Sequence, residues 1–381
     1  MAYTFSEIDV GEFEGFVEGA MGRNFLQSGE MYRRYVGKGR EAYLLGLKRD
    51  GEVVMAGLLV ATRRYGRWSV FNCPGGFVGE YEKEVVRVMT EGCRRFLRGK
   101  RGMILQISPN MVAEERDIDA KVVEGGENNL ATREMLRGMG YKYLGEYEQA
   151  KWVYKLRVKD ADLEKMYKDF RKGHKLSIRY ARDRYGVKVR ELKYDELGVL
   201  TKLTAEAGEY HGFRAPDVSY FQEMYKAFPG KVKFLVSEMV EPEGEKGSDE
   251  EGKGAGETTE GKKGEAVKKM EAGKTVVTAG AMFVIYGDEV VYLYSGSRRQ
   301  YKKYGGPHLM QWQMIQYAAE HGFNEYNFYG VRPVKGNGVY AFKRGFKGRV
   351  VELLGTFILP LNIVGRLYSL TRSTEEMRGV T

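Results

Sequence analysis

Helix and strand signals run through the same succession twice along this chain, and that repetition limits the fold more than any other feature. The first pass reads as a helix at 10–18, strands at 42–48, 53–63 and 68–73, a helix at 83–97, a strand at 103–107, a helix at 129–139 and a strand at 152–157. The second reads as a helix at 163–185, a strand at 187–191, helices at 194–212 and 218–227, strands at 232–239, 275–286 and 289–295, a helix at 307–320 and a strand at 325–329. Alternation of this kind implies mixed α/β (α+β) domains. Its recurrence implies a duplicated module, and 381 residues exceed what a single small core organises.

The second pass is interrupted. Residues 241–274 (EPEGEKGSDEEGKGAGETTEGKKGEAVKKMEAGK) contain no aromatic residue and almost nothing to bury, a composition that cannot offset the entropy of ordering. They are expected to form a disordered loop. The apolar runs on either side read as the two strands of one hairpin whose turn has been lengthened, at a cost that grows only logarithmically with loop length.

Charge and composition narrow the function classes. The chain carries a formal net charge of +10; residues 241–274 hold ten carboxylates and seven lysines, so the remainder carries +13. A body that basic suits polyanionic partners: nucleic acid, a pyrophosphate-bearing nucleotide or an anionic membrane face. The first twenty residues hold Glu7, Asp9, Glu12, Glu14 and Glu18 and no basic stretch, the opposite of an export signal. The most apolar stretch, 350–365, contains Glu352, Gly355 and Pro360 and does not read as a membrane span. Two isolated cysteines, Cys73 and Cys93, suit a reducing compartment. A cytoplasmic protein is expected. HExxH, CxxC and GxSxG are absent and the four histidines are scattered, so neither metal nor cofactor is expected.

Six segments, in order, resemble the FemABX family of aminoacyltransferases, and the resemblance spans nearly the whole chain. Phe25-Leu26-Gln27-Ser28 with Tyr32-Arg33-Arg34 resembles the family's F-x-Q-S-x-x-W-x-x-[KR] opening. Residues 172–187 (KGHKLSIRYARDRYGV) resemble its basic helix, and His211-Gly212-Phe213 with Ser219-Tyr220-Phe221 its [HD]-G-F…Y-[FY] segment. Tyr292-Leu293-Tyr294-Ser295-Gly296-Ser297, 325–330 (EYNFYG) and 339–346 (VYAFKRGF) resemble its [YW]-x-Y-x-G-[SA], Y-D-F-x-G and Y-x-F-K-x-x-F motifs. The resemblance implies two tandem GNAT-like acyltransferase domains: 1–158 with 348–381 returning to complete the first, and 159–347 as the second. It also implies transfer of an amino acid from aminoacyl-tRNA to a peptidoglycan-precursor stem peptide, carried on UDP-MurNAc-pentapeptide or lipid II, with peripheral contact at the inner membrane face. No sustained heptads indicate the coiled-coil arm some members carry.

Attack of an amine on an aminoacyl ester needs proximity and stabilisation of the oxyanion rather than a strong Lewis acid. Lys343 lies among aromatic and aliphatic residues in what reads as a strand; alone it is an ordinary edge lysine, but the resemblance assigns it the catalytic role and Phe342 a stacking role. The resemblance gives Arg33 a nucleotide-diphosphate contact. It also expects arginine where this chain has Tyr210, and Arg214 is the local candidate to replace it. Tyr292 and Tyr294 alternate along one strand and so face one way, as cleft lining or as core edge. Lys172, Lys175, Arg179 and Arg182 recur at spacings of three, four and three, one cationic stripe on a helix, suited to a tRNA acceptor stem. Two other classes compete. An acyl-CoA-dependent acyltransferase needs an [RQ]-x-x-G-x-[GA] pyrophosphate loop, for which 302–307 (KKYGGP) is the nearest and a defective match. A non-catalytic RNA-binding protein would leave Lys343 incidental.

Overall fold

The computed structural model describes residues 2–212, 214–241 and 273–372. The chain divides into two compact units: residues 1–157, 286–291 and 327–381, and residues 158–285 and 292–326.

The first unit is built on a sheet whose strands lie in the order Tyr3–Glu7, Ala42–Arg49, Glu52–Tyr65, Trp68–Gly75, Gly102–Pro109, Thr356–Pro360 and Lys142–Gly145. Neighbours are antiparallel except Trp68–Gly75 and Gly102–Pro109, which run parallel. A parallel pair needs a crossover, and helix Lys83–Gly99 supplies it, burying Val85, Val86, Met89, Cys93 and Leu97 against Leu45, Leu59, Phe71 and Leu105. The C-terminal chain closes this sheet from far along the sequence. Phe357 pairs with Ile107 on one side and Tyr143 on the other.

Strand Arg349–Leu353 lies between Trp152–Arg157 and Val112–Glu115, antiparallel to both. Its Glu352 side chain is buried, and three cations compensate it: Arg116 at 2.5 Å, Lys151 at 2.9 Å and Arg133 at 3.7 Å. Arg116 and Lys151 each also lie 5.1 Å from the Trp152 ring centroid.

In the second unit, strands Lys188–Glu191, Val232–Val240, Thr275–Tyr286 and Glu289–Ser297 lie side by side in that order, the turn at 286–291 being counted with the first unit. Val232–Val240 and Thr275–Tyr286 are antiparallel and paired to their ends, Val240 opposite Thr275, and the Glu241 N–H reaches the Lys274 carbonyl at 3.0 Å. The lengthened hairpin is therefore present. The disorder expected of 241–274 concerns residues 242–272, which lie outside the described residues.

Three expectations are corrected. Residues 327–347 belong to the first unit, not the second. The Tyr340 hydroxyl donates to the Ile118 carbonyl at 2.7 Å, Arg344 pairs with Asp119, and Tyr340 packs on Tyr154, all ties into the N-terminal part of the chain. Residues 163–185 are not one helix but Leu163–Asp169, Lys172–Arg179 and a wider turn, Tyr180–Arg184. The break falls at Phe170, whose ψ of 150° turns its buried ring into edge contact with Trp312, 5.4 Å away. Lys343 lies on a helix, Gly338–Arg344, and not on a strand. The Asn337 side chain caps it by accepting from the Tyr340 N–H at 2.9 Å. The residues it turns inward, Tyr340, Lys343 and then Phe346, are spaced by three rather than two.

Candidate functional site

In the first unit, one turn of helix carries Lys343 into the interior, where 5% of the residue is exposed. Its ammonium donates to three successive carbonyls at the end of strand Glu325–Gly330: Phe328 at 2.7 Å, Tyr329 at 3.3 Å, and Gly330. Tyr329 has a φ of +60°, a left-handed backbone uncommon for a residue with a Cβ. That turn lets the strand end present its carbonyls to one cation. The surroundings are otherwise aromatic: Phe328 lies 5.2 Å from Phe346 and 5.8 Å from Tyr154, and Phe342 packs edge-on against Phe346 at 5.5 Å. Burial in that setting pushes the Lys343 pKa down to about 7, while the three carbonyl dipoles favour the charged form.

The same strand end is held from its other side. The Tyr329 N–H donates to Asn327 Oδ1 at 2.8 Å, Asn327 Nδ2 donates to Glu289 at 3.1 Å, and Lys155 Nζ donates to the same Glu289 oxygen at 2.8 Å. Asn327, Tyr329 and Glu289 face a small recess of about 50 Å³, whose other walls include Asn24, Leu26, Val153, Val291 and Leu353. Its walls are mostly apolar, with a few amides and the Glu289 carboxylate among them, and the carbonyl of Tyr329, one of its lining residues, accepts from Lys343. Asn327, Glu289 and Lys155 were not anticipated. An amide within an apolar strand and a carboxylate beside a turn are the signals that were available.

Arg33 lies on helix Gly29–Gly37, half exposed and paired with Glu14 at 2.7 Å, which raises its pKa. The motif before it is architectural. Gln27 is buried and spans two strands, donating to the Leu58 and Pro74 carbonyls at 3.2 and 2.8 Å and accepting from the Leu58 N–H at 2.7 Å. Ser28 caps the helix through the Met31 N–H at 3.2 Å.

The remaining candidates lie in the second unit. Tyr292 and Tyr294 are both packed, but against different elements and not along one shared face: Tyr292 lies 5.4 Å from Phe283 of the neighbouring strand, and Tyr294 lies 5.4 Å from Tyr220 and 6.1 Å from Phe221 of helix Val218–Ala227. Burial raises the Tyr292 pKa. Tyr210 is exposed near the end of helix Gly198–His211, and Arg214 is exposed in the turn beyond it. The cation at Tyr210 comes from elsewhere: the Arg299 guanidinium lies 3.4 Å from its ring centroid. Sequence reasoning missed Arg299 because the pairing is remote along the chain.

Lys172 and Arg179 are exposed on their short helix and Lys175 is half-buried. Arg182 lies on the wider turn, closed by a bond from the Tyr185 N–H to the Tyr180 carbonyl at 2.8 Å, so the stripe shifts round before reaching it. Arg182 also pairs with Asp183 at 2.7 Å. In the competing pyrophosphate loop, Gly305 packs closely on the basic segment: a Cβ there would lie 2.5 Å from the Ser177 carbonyl oxygen.

A crystal structure of FemX matches 97% of this chain and 100% of its own with a TM-score of 0.74 at 20% identity. A tandem GNAT protein from the clavulanic acid biosynthesis pathway matches 95% and 99% with a TM-score of 0.53 at 10% identity. The fold is that of the tandem GNAT-like acyltransferases. The FemAB family model matches residues 8–243 and 241–373, and the chain belongs to that family. Aminoacyltransferase FemA of Staphylococcus epidermidis is 25% identical over 98% of this chain and 99% of its own length. Aminoacyltransferase FemB of the same organism is 26% identical over 94% and 95%. The chain is a transferase. Among the described residues, no helix is long and apolar enough to cross a membrane.

Proposed function

We propose that this chain moves an aminoacyl group from aminoacyl-tRNA to the amine of a peptidoglycan-precursor stem peptide, borne on UDP-MurNAc-pentapeptide or lipid II. Family membership supports the class of reaction. The observation that carries the chemistry is the buried Lys343 cation, balanced by carbonyl dipoles and by no carboxylate among its described bonds. A charge held that way keeps its field, and in a low-dielectric site that field opposes the negative charge developing on an attacked ester. The three-carbonyl arrangement is the resting one; the ester oxygen takes the place of one carbonyl as the oxyanion forms, and Phe342 flanks it. Arg33 contacts the acceptor's diphosphate. Within the second unit, the Arg299–Tyr210 pair, or Arg214, is a separate candidate anion contact. Tyr292 and Tyr294 support substrate binding from within the second unit's aromatic core. Lys172, Lys175, Arg179 and Arg182 meet tRNA phosphates.

The test is single-turnover transfer of radiolabelled amino acid from tRNA to UDP-MurNAc-pentapeptide and, separately, to lipid II. Label in either acceptor supports the reading. Transfer from acetyl-CoA instead, or from neither donor, overturns it.

A further inference from the structure

The last described helix, Ile363–Leu370, is amphipathic in an unusual sense: its apolar stripe faces outward. Ile363, Leu367 and Leu370 are 68%, 61% and 77% exposed. Their spacings of four and three place all three on one face. The opposite face is docked firmly. Gly365 and Ser369 are buried, and a Cβ at Gly365 would collide with the Met103 carbonyl oxygen. Val364 and Tyr368 pack on a cluster containing Val70, Ile104, Leu144 and Ile358. The Asn362 side chain accepts from the Gly365 N–H at 2.9 Å at one end, and at the other Lys142 Nζ donates to the Ser369 and Arg372 carbonyls at 2.7 and 2.6 Å. The helix is thus fixed in place while its greasiest side chains are left in water.

What surrounds the stripe identifies its occupant. Tyr65, itself 43% exposed, lies 5.5 Å from Tyr368, which brings the hairpin turn Tyr65-Gly66-Arg67-Trp68 beside the helix. Arg67 covers the Trp68 ring at 4.9 Å, and Arg372 covers Tyr368 at 4.6 Å. Arg366 is exposed on the helix next to the stripe. Exposed leucine and isoleucine, flanked by tyrosine, tryptophan and arginine, match the layering of a bilayer interface: acyl boundary, headgroup level, anionic surface.

We infer that helix Ile363–Leu370, with the turn Tyr65–Trp68, docks the protein on an anionic lipid bilayer by lying in its interface. The inference stands independently of the catalytic reading, and its test reads vesicle binding, not transfer. The full chain is sedimented with vesicles of phosphatidylcholine alone and with vesicles containing one quarter phosphatidylglycerol. Binding to the anionic vesicles is expected, weakening about tenfold or more when Ile363→Gln, Leu367→Gln and Leu370→Gln are combined. Arg67→Glu and Arg366→Glu should each weaken it about fivefold or more. Melting curves confirm that the variants, all at exposed or surface positions, remain folded. Absence of wild-type binding to anionic vesicles, or equal binding by the triple variant, overturns the inference. So does self-association in sedimentation velocity that the triple variant abolishes, which would assign the stripe to a second copy of the chain.

Discussion

Two buried charges in the first unit are stabilised in opposite ways. Glu352 is met by full charges, Arg116, Lys151 and Arg133, with Glu114 sharing Arg116, so its own negative charge is answered by ions in direct contact. Lys343 is met by the carbonyls of Phe328, Tyr329 and Gly330, which are dipoles. Their field falls off faster than that of a charge, so the net positive charge persists beyond its first neighbours. The contrast separates a structural ion from one available to chemistry. A carboxylate tied up in ion pairs serves to hold strands together, whereas a cation solvated by dipoles can still act on a reacting group.

The largest expected effect concerns the ion-paired carboxylate. Glu352→Ala leaves three cations around an empty site and should cost roughly 3–5 kcal/mol of stability, read by urea denaturation. Transfer by the fraction that remains folded should be unchanged. A variant that stays stable and loses turnover would break the comparison, because Glu352 would then belong to the chemistry.

Lys343→Met keeps the stem and deletes the charge, so it tests the other half. Single-turnover transfer should fall about a hundredfold or more, with substrate affinities retained and Lys343→Arg intermediate. Near wild-type turnover would reduce Lys343 to a pin for the strand end.

The pH dependence of stability sharpens the same point. A lysine pushed down to about 7 in the folded state binds fewer protons there than in the unfolded chain, between that pH and its ordinary value near 10.5. Wild-type stability relative to Lys343→Met should therefore rise with pH through this window, by up to about 1.4 kcal/mol per pH unit. A flat difference in denaturation midpoints would mean that the carbonyl dipoles outweigh desolvation and the amine stays charged throughout.

Arg33 should give the smallest effect. It is half exposed and already paired with Glu14, so Arg33→Ala should weaken UDP-MurNAc-pentapeptide binding by only about fivefold. An unchanged titration would remove it from the acceptor site, and a loss of tRNA binding as well would indicate misfolding.

The interrupted hairpin was legible because composition separates it sharply from its flanks. The parallel pair Trp68–Gly75 and Gly102–Pro109 was less so, since both strands were visible but their pairing is not a local property. The short strands Tyr3–Glu7, Val112–Glu115 and Lys142–Gly145 left too few residues for a period to emerge. Residues 339–346 are apolar enough around Lys343 to suit either period, and the Asn337 cap decides for helix. The bend at Phe170 depends on Trp312, and the cation at Tyr210 on Arg299, partners that no window of sequence contains. Motif order thus pointed to Lys343, while the carbonyls, Asn327 and Glu289 around it emerge only from folding.

The hairpin of Val232–Val240 and Thr275–Tyr286 has a practical consequence. Its register is already set by pairs running from Val232 with Val284 to Val240 with Thr275, before the chain departs. Whatever the intervening chain length, the sheet below meets the same two strand ends in the same alignment, and lengthening costs only about 0.6 kcal/mol per doubling. The junction between Glu241 and Lys274 is therefore a natural port. An affinity handle, a fluorescent domain or a crosslinkable peptide could be spliced there with both termini left untouched, and the enzyme's position in a cell or on a vesicle could be followed from it.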